Sequence, residues 1–141
     1  MFKRVLVANR GEVAARIIRA AKKLGVETVA VYSTADADSS HLEDADVRVN
    51  IGGSQSKDSY LNIRAILQTA LQYDCQAVHP GWGFLAENAL FARLCEQQKT
   101  TFIGPPSDVI SLNARQCATT SEHEGGKAFL ETLHVSLFLK V

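Results

Sequence analysis

The sequence predicts a three-layer α/β domain built on a largely parallel sheet. Short apolar runs alternate with segments of helical period over the first 112 residues. Glycine, proline or asparagine punctuates most of the joints between them. The runs are also nearly continuous in apolar residues, as strands covered on both faces require.

Residues 5–8 (Val-Leu-Val-Ala) form the first expected strand, ended by Asn9, Arg10 and Gly11. Residues 12–24 then place Val13, Ala14, Ile17, Ile18, Ala21 and Leu24 on one helical stripe. Arg16, Arg19, Lys22 and Lys23 fall on or near the other side. Gly25 stands where a helix end calls for a left-handed residue. Residues 28–32 read as a second strand, followed by a polar stretch from Ser33 to Ser40. Residues 47–51 alternate as a half-buried strand does, and Gly52-Gly53-Ser54 breaks them.

Asp58 or Ser59 is expected to cap a helix carrying Ile63, Ile66, Leu67, Ala70 and Leu71 inward. Ala77 and Val78 make a short strand running into His79-Pro80-Gly81-Trp82-Gly83-Phe84. Asn88 can cap the next helix, with Phe91, Leu94 and Cys95 inward. Residues 101–103 form a last strand, stopped by Gly104-Pro105-Pro106. Ser107 starts a final helix with Val109, Ile110 and Leu112. Strands separated by helices imply right-handed crossovers and helices on both faces, a Rossmann-like arrangement.

Residues 113–141 read differently. Residues 117–126 have no period and several turn-formers. Beyond them Leu133, Val135, Leu137, Leu139 and Val141 alternate as in a strand, although Phe129, Leu130, Leu133 and Leu137 also make a helical face. Gly125-Gly126-Lys127 lacks the spacing of a phosphate loop and follows no strand.

Composition narrows the function classes. The 141 residues suit about one domain, and 15 Lys+Arg balance 15 Asp+Glu. No basic excess offers a footprint for general nucleic-acid binding. No run approaches the roughly 20 apolar residues of a membrane span. Three cysteines, Cys75, Cys95 and Cys117, make neither an even disulfide set nor a CxxC pair. Together with a strand-like run from Phe2 and no recognisable leader, they suggest a reducing cytoplasm.

In an open α/β sheet, ligands gather beyond the carboxyl ends of the strands, where the strand order reverses. Two loops qualify. In the first, Asn9-Arg10-Gly11, backbone N–H groups at a helix start can receive an anion. GxGxxG is absent, so spacing alone favours a simple turn over phosphate binding. In the second, residues 79–88, Gly81 and Gly83 permit close backbone approach and Trp82 offers a flat face. His79 and Glu87 add polar ends. The alternative is a rigid turn with Trp82 packed over the core and His79 fixing the turn.

These loops carry a resemblance. Residues 7–14 (Val-Ala-Asn-Arg-Gly-Glu-Val-Ala), with Arg16-Ile17-Ile18-Arg19, resemble the opening of biotin carboxylases. Ser59-Tyr60-Leu61-Asn62-Ile63, then residues 79–88, then Phe102-Ile103-Gly104-Pro105, are similar to that family's next landmarks, in order. The resemblance implies the Rossmann-like unit that precedes an ATP-grasp fold. Complete members use ATP, magnesium and bicarbonate to carboxylate biotin held on a carrier protein, for acyl-CoA or pyruvate carboxylation. By position, Trp82 and Gly83 match the loop facing the biotin pocket, and Glu87 matches an acidic residue in it. The family usually has Tyr where Trp82 stands. Arg16 and Arg19 match a helix that in the family helps form or abuts the dimer interface, which implies a second copy as partner; the family also implies carboxylase subunits or a biotin carrier protein. An exposed basic face is the plain alternative.

The resemblance stops after Ile110-Ser111-Leu112. The family continues Met-Gly-Asp-Lys, whose lysine meets the nucleotide, where this sequence has Asn113-Ala114-Arg115-Gln116. The central lid and C-terminal ATP-grasp domain do not follow. Loss of similarity inside an expected helix, not at a linker, points to an altered reading frame. The expected division is therefore residues 1–112 as the family's N-terminal domain and 113–141 as a divergent tail. A chain of this extent is expected to bind no cofactor alone and to lack carboxylase activity. The alternatives are an assembly module and a short-lived product whose apolar tail favours aggregation.

Overall fold

The computed structural model describes residues 1–119, with side-chain surroundings through residue 114. In chain order the elements are β1 (Arg4–Val7), α1 (Gly11–Lys23), β2 (Glu27–Tyr32), β3 (Val47–Asn50), α2 (Ile63–Gln72), β4 (Ala77–His79), α3 (Ala89–Gln97), β5 (Thr101–Phe102) and α4 (Ser107–Thr119). Short 3-10 turns at Thr34–Asp36, Ser40–Leu42 and Ser56–Asp58 fill two of the connections. The strands form one parallel sheet in the order β3-β2-β1-β4-β5. Val5 of β1 lies between Thr28 and Ala77.

The strand order explains the layers. The chain steps from β1 to β2 to β3 in one direction, then crosses back to β4 and β5. Right-handed connections running opposite ways put their helices on opposite faces. Alternate side chains of β1 record this: Val7 packs with Ala14, Ile17 and Ile18 of α1 and with Leu42. Leu6 packs in the other layer with Ile66 and Ala70 of α2 and Phe91 and Cys95 of α3. The reversal leaves a crevice beyond the carboxyl ends of β1 and β4.

Three helices end the same way. After α1, α2 and α3 comes a left-handed residue: Gly25 (φ 69°), Asp74 (φ 52°) and Lys99 (φ 58°). The next N–H reaches back five residues in each case, Val26 to Ala21 O (2.9 Å), Cys75 to Ala70 O (2.8 Å) and Thr100 to Cys95 O (3.0 Å). These bonds satisfy carbonyls that a helix end leaves bare.

Several local expectations change. The cap of α2 is Asn62, whose Oδ1 accepts from Ala65 N at 3.1 Å. Asp58 and Ser59 instead belong to the preceding turn, where Ser59 Oγ donates to Gln55 O. Burying Tyr60 between that turn and the helix moves the helix start onward. Leu24, Leu71 and Leu112, assigned inward from periodicity, are exposed. Leu24 is already the residue closing α1, so the stripe ends before it. Asn88 caps α3 as expected, accepting from Phe91 N at 2.9 Å.

α4 begins at Ser107, whose N–H and Oγ both donate to the Glu96 carboxylate of α3 (3.2 and 3.0 Å). It continues unbroken past Leu112 to Thr119. Gly125-Gly126-Lys127 and the alternating residues 133–141 lie outside the described residues. Among the described residues, no helix is long and apolar enough to cross a membrane.

Candidate functional site at the carboxyl ends of β1 and β4

The two loops singled out from sequence meet at the crevice, and Asn9 joins them. Its side chain is buried, and Nδ2 donates to Pro80 O (2.6 Å) and Trp82 O (2.9 Å). Oδ1 accepts from Arg10 N at 2.8 Å. Gly81 has φ 65°, and a Cβ there would lie 2.6 Å from Val13 Cγ1 and 2.8 Å from Asn9 Nδ2. Only glycine lets the second loop come this close to the first.

Beyond Trp82 the backbone is left-handed again at Gly83 (φ 71°) and Phe84 (φ 42°). This twist sorts the aromatics. Trp82 turns outward, 61 % exposed, and Phe84 turns in against the Tyr60 ring at a centroid distance of 5.2 Å. The alternative of Trp82 packed over the core is therefore not realised; Phe84 fills that place. His79 Nδ1 accepts from Gly81 N at 3.1 Å, and burial pushes its imidazole down to about 4, so the ring is neutral at pH 7. Glu87 is exposed beside the α3 cap.

Arg10 does not stand free at the first loop. Its Nη2 donates to Asp36 Oδ1 at 2.6 Å, and the guanidinium lies 5.7 Å from the Tyr60 ring centre. Gly11 has φ 57° with open space around it, and Glu12 adds negative charge to the first helical turn. That charge opposes an anion at the same place, so these facts favour the turn over phosphate binding.

Behind the loops lies a polar cluster that sequence reasoning passed over. Buried Asp36 accepts at Oδ2 from Ser33 Oγ and from the Tyr60 hydroxyl, both at 2.8 Å. Ser33 N donates to the same hydroxyl at 3.1 Å. Burial alone would raise the Asp36 pKa, but these hydrogen bonds and the Arg10 charge outweigh it and hold the carboxyl below its usual value. Burial, with the adjacent Asp36, drives Tyr60 up to about 12. His41 is buried close by with neither ring nitrogen hydrogen-bonded, and burial lowers its pKa. Tyr60 is part of the Ser59-Tyr60-Leu61-Asn62-Ile63 run, yet no spacing signal ties it to Asp36, 24 residues earlier.

Arg16 and Arg19 lie elsewhere, on the exposed side of α1. Arg16 Nε is 3.8 Å from Glu12 Oε1, and Arg19 Nε donates to Ala15 O. The structure thus brings Asn9, Arg10 and the 79–88 loop together and leaves these arginines apart.

Among the described residues, no group of three or more His, Cys, Asp or Glu side chains could hold a metal ion. With Arg10 committed to Asp36, this set does not fit magnesium or a nucleotide phosphate. The open Trp82 face beside glycine backbone does fit a flat ring.

The family model for the biotin carboxylase N-terminal domain matches residues 1–110. The chain belongs to that family. It is 57 % identical over 111 residues to biotin carboxylase 1 of Bacillus subtilis, covering 79 % of this chain and 25 % of that protein. An alignment with biotin carboxylase of Halalkalibacterium halodurans runs over 138 residues at 45 % identity, covering 97 % of this chain and 30 % of the relative. It therefore extends past Leu112, at lower overall identity. Among solved structures, the biotin carboxylase domain dimer of Hydrogenobacter thermophilus 2-oxoglutarate carboxylase, in complex with MgADP, ADP and bicarbonate, is 52 % identical. It superposes with a TM-score of 0.75, over 79 % of this chain and 24 % of that one. The chain thus spans about a quarter of the length of these biotin carboxylases. The Rossmann-like parallel fold read from the sequence is the fold of that N-terminal domain.

Proposed function

We propose that this chain supplies one wall of a biotin carboxylase pocket. Trp82, Gly83 and Glu87 face the biotin, while ATP, magnesium and bicarbonate are held by parts of the complete enzyme outside residues 1–112. The observation that carries this reading is the Asn9 bridge, which fixes the 79–88 loop so that Trp82 presents an open face. Phosphoryl transfer needs a metal and cationic groups placed around the phosphates. The chain spans about a quarter of the length of the complete relatives, and the expectation is that it does not catalyse the reaction by itself. Purified chain should show no biotin-dependent ATP hydrolysis above background. A biotin-dependent rate would overturn that. The pocket role is tested by supplying the chain to a carboxylase lacking its first 110 residues. Restored activity with a raised biotin KM in Trp82→Ala supports the wall, and an unchanged KM removes it.

A second reading rests on α1. Arg16 and Arg19 are exposed together there, and we propose that they join the chain to a carboxylase subunit or to a second copy. Co-purification with a full-length carboxylase, lost in an Arg16→Glu/Arg19→Glu variant, is the expected result. A carrier protein bearing biotin is the partner that the pocket reading requires. Buried, unpaired Cys75 and Cys95 suit a reducing cytoplasm. The unit proposed to carry the role is residues 1–112. We propose an altered reading frame for 113–141 because Asn113-Ala114-Arg115-Gln116 stand where the family continues Met-Gly-Asp-Lys, although α4 itself runs unbroken across Leu112. Translating the coding DNA in the other frames tests this, and failure to recover Met-Gly-Asp-Lys after Leu112 would count against it.

A further inference from the structure

We propose that Tyr60 is the positioning residue that sets the direction of Trp82, with Asp36 as its anchor; the functional consequence rests on the pocket reading above. One ring meets both switch-point loops. The Arg10 guanidinium from the β1–α1 loop lies 5.7 Å from the ring centre, and Phe84 from the β4–α3 loop packs at 5.2 Å with a tilt of 32°. The ring is fully buried, and its hydroxyl is fixed from two sides, donating to Asp36 and accepting from Ser33 N. Asp36 in turn holds Arg10, so the carboxylate pins the ring and the cation beside it.

Phe84 needs such a hold. It is a bulky residue at φ 42°, a conformation L residues occupy only when surrounding structure enforces it. It lies two residues after Trp82, with Gly83 between them also left-handed. If Phe84 relaxes to ordinary φ, the chain direction at Gly83 changes and the indole turns with it. The Asn9 bridge fixes the Trp82 carbonyl, and the Tyr60 ring fixes the segment on its other side. Tyr60 therefore controls how a flat ligand would meet the indole without touching that ligand.

Trp82 is the single tryptophan of the sequence, so its fluorescence anisotropy decay reads the loop directly. The measurement compares the full chain with Tyr60→Leu, Tyr60→Phe and Asp36→Asn. Glu27→Gln, which weakens the Arg4–Glu27 pair at the opposite end of the sheet, is the control. Tyr60→Leu and Asp36→Asn should raise the amplitude of fast local motion about twofold or more, as expected when a segment loses its tertiary hold. Tyr60→Phe, which keeps the ring, should fall between them and the parent. Glu27→Gln should leave the decay unchanged. If Tyr60→Leu does not fold, Asp36→Asn and Tyr60→Phe decide. Unchanged decays in both, or fast motion that rises equally in Glu27→Gln, would overturn the proposal. No biotin enters this measurement, so its outcome is separate from that of the pocket reading.

Discussion

At the amino end of the sheet, three helices turn into strands by one backbone device, whereas the carboxyl-end loops are held by side chains that differ at every position. Gly25, Asp74 and Lys99 occupy equivalent left-handed positions, and main-chain bonds close each turn. Residue identity matters little there: a glycine, an acid and a base all serve. The Arg4–Glu27 pair, with Arg4 also donating to Tyr73 O, adds a clamp across the same end. At the other end, Asn9, Asp36, Tyr60 and Phe84 each make contacts that another residue type would not reproduce. Backbone-closed turns support the scaffold, and side-chain-closed loops make a surface with a defined shape.

The sharpest way to break this contrast is Gly81→Ala. A Cβ within 2.8 Å of Asn9 Nδ2 and 2.6 Å of Val13 Cγ1, at positive φ, forces the loops apart. The expected loss is roughly 3 kcal/mol in chemical denaturation. A loss below about 1 kcal/mol would mean that the loops are less tightly joined than the bridge implies. Next comes Asn9→Ala, which leaves the Pro80 and Trp82 carbonyls without their donor. About 2 kcal/mol is expected, together with faster amide exchange in residues 79–88 and none of that change at β2.

Acid should weaken the carboxyl end in two stages. His79 is held near 4 against an ordinary 6.5, so between those values the unfolded chain takes up a proton that the folded chain refuses. Stability therefore falls as pH drops through that window, by at most about 1.4 kcal/mol per pH unit for one proton. His41, also lowered by burial, adds in the same direction. Asp36 contributes the opposite group type: its stabilisation is present above the ordinary carboxylate value and is lost as pH falls below it. A His79→Asn variant should show a flatter denaturation-midpoint profile between pH 6.5 and 4. An unchanged profile would remove His79 from the account.

The smallest effect belongs to the amino end. Asp74→Gly and Lys99→Gly remove a left-handed strain at the cost of extra freedom in the unfolded chain. Each should gain about 0.5 kcal/mol in thermal or denaturant unfolding. A loss in both would show that side chains matter at these turns after all.

The contrast also explains what the sequence disclosed. Apolar runs and helical stripes are local, so the strands, α1 and α3 are readable along the chain. Gly25 announces its turn because it is glycine, whereas Asp74 and Lys99 occupy the same position without a compositional sign. Both crevice loops are visible through their glycines. Which aromatic faces outward is not, because that depends on the φ of Gly83 and Phe84. Asp36 and Tyr60 stay hidden for a related reason: their partnership crosses 24 residues and obeys no period.

The Asn9 bridge also bears on the order in which the molecule can be completed. Its two hydrogen bonds reach 71 and 73 residues along the chain. β1, α1, β2 and β3 can associate from residues close in sequence, but β1 keeps one open edge until β4 arrives. During synthesis the crevice therefore cannot close before residue 82 is available. Long-range closures of this kind are entropically slow compared with helix formation. The surface proposed to face a ligand belongs to the late-forming part of the domain, and a chain interrupted before β4 would expose the edge of β1 to other strands.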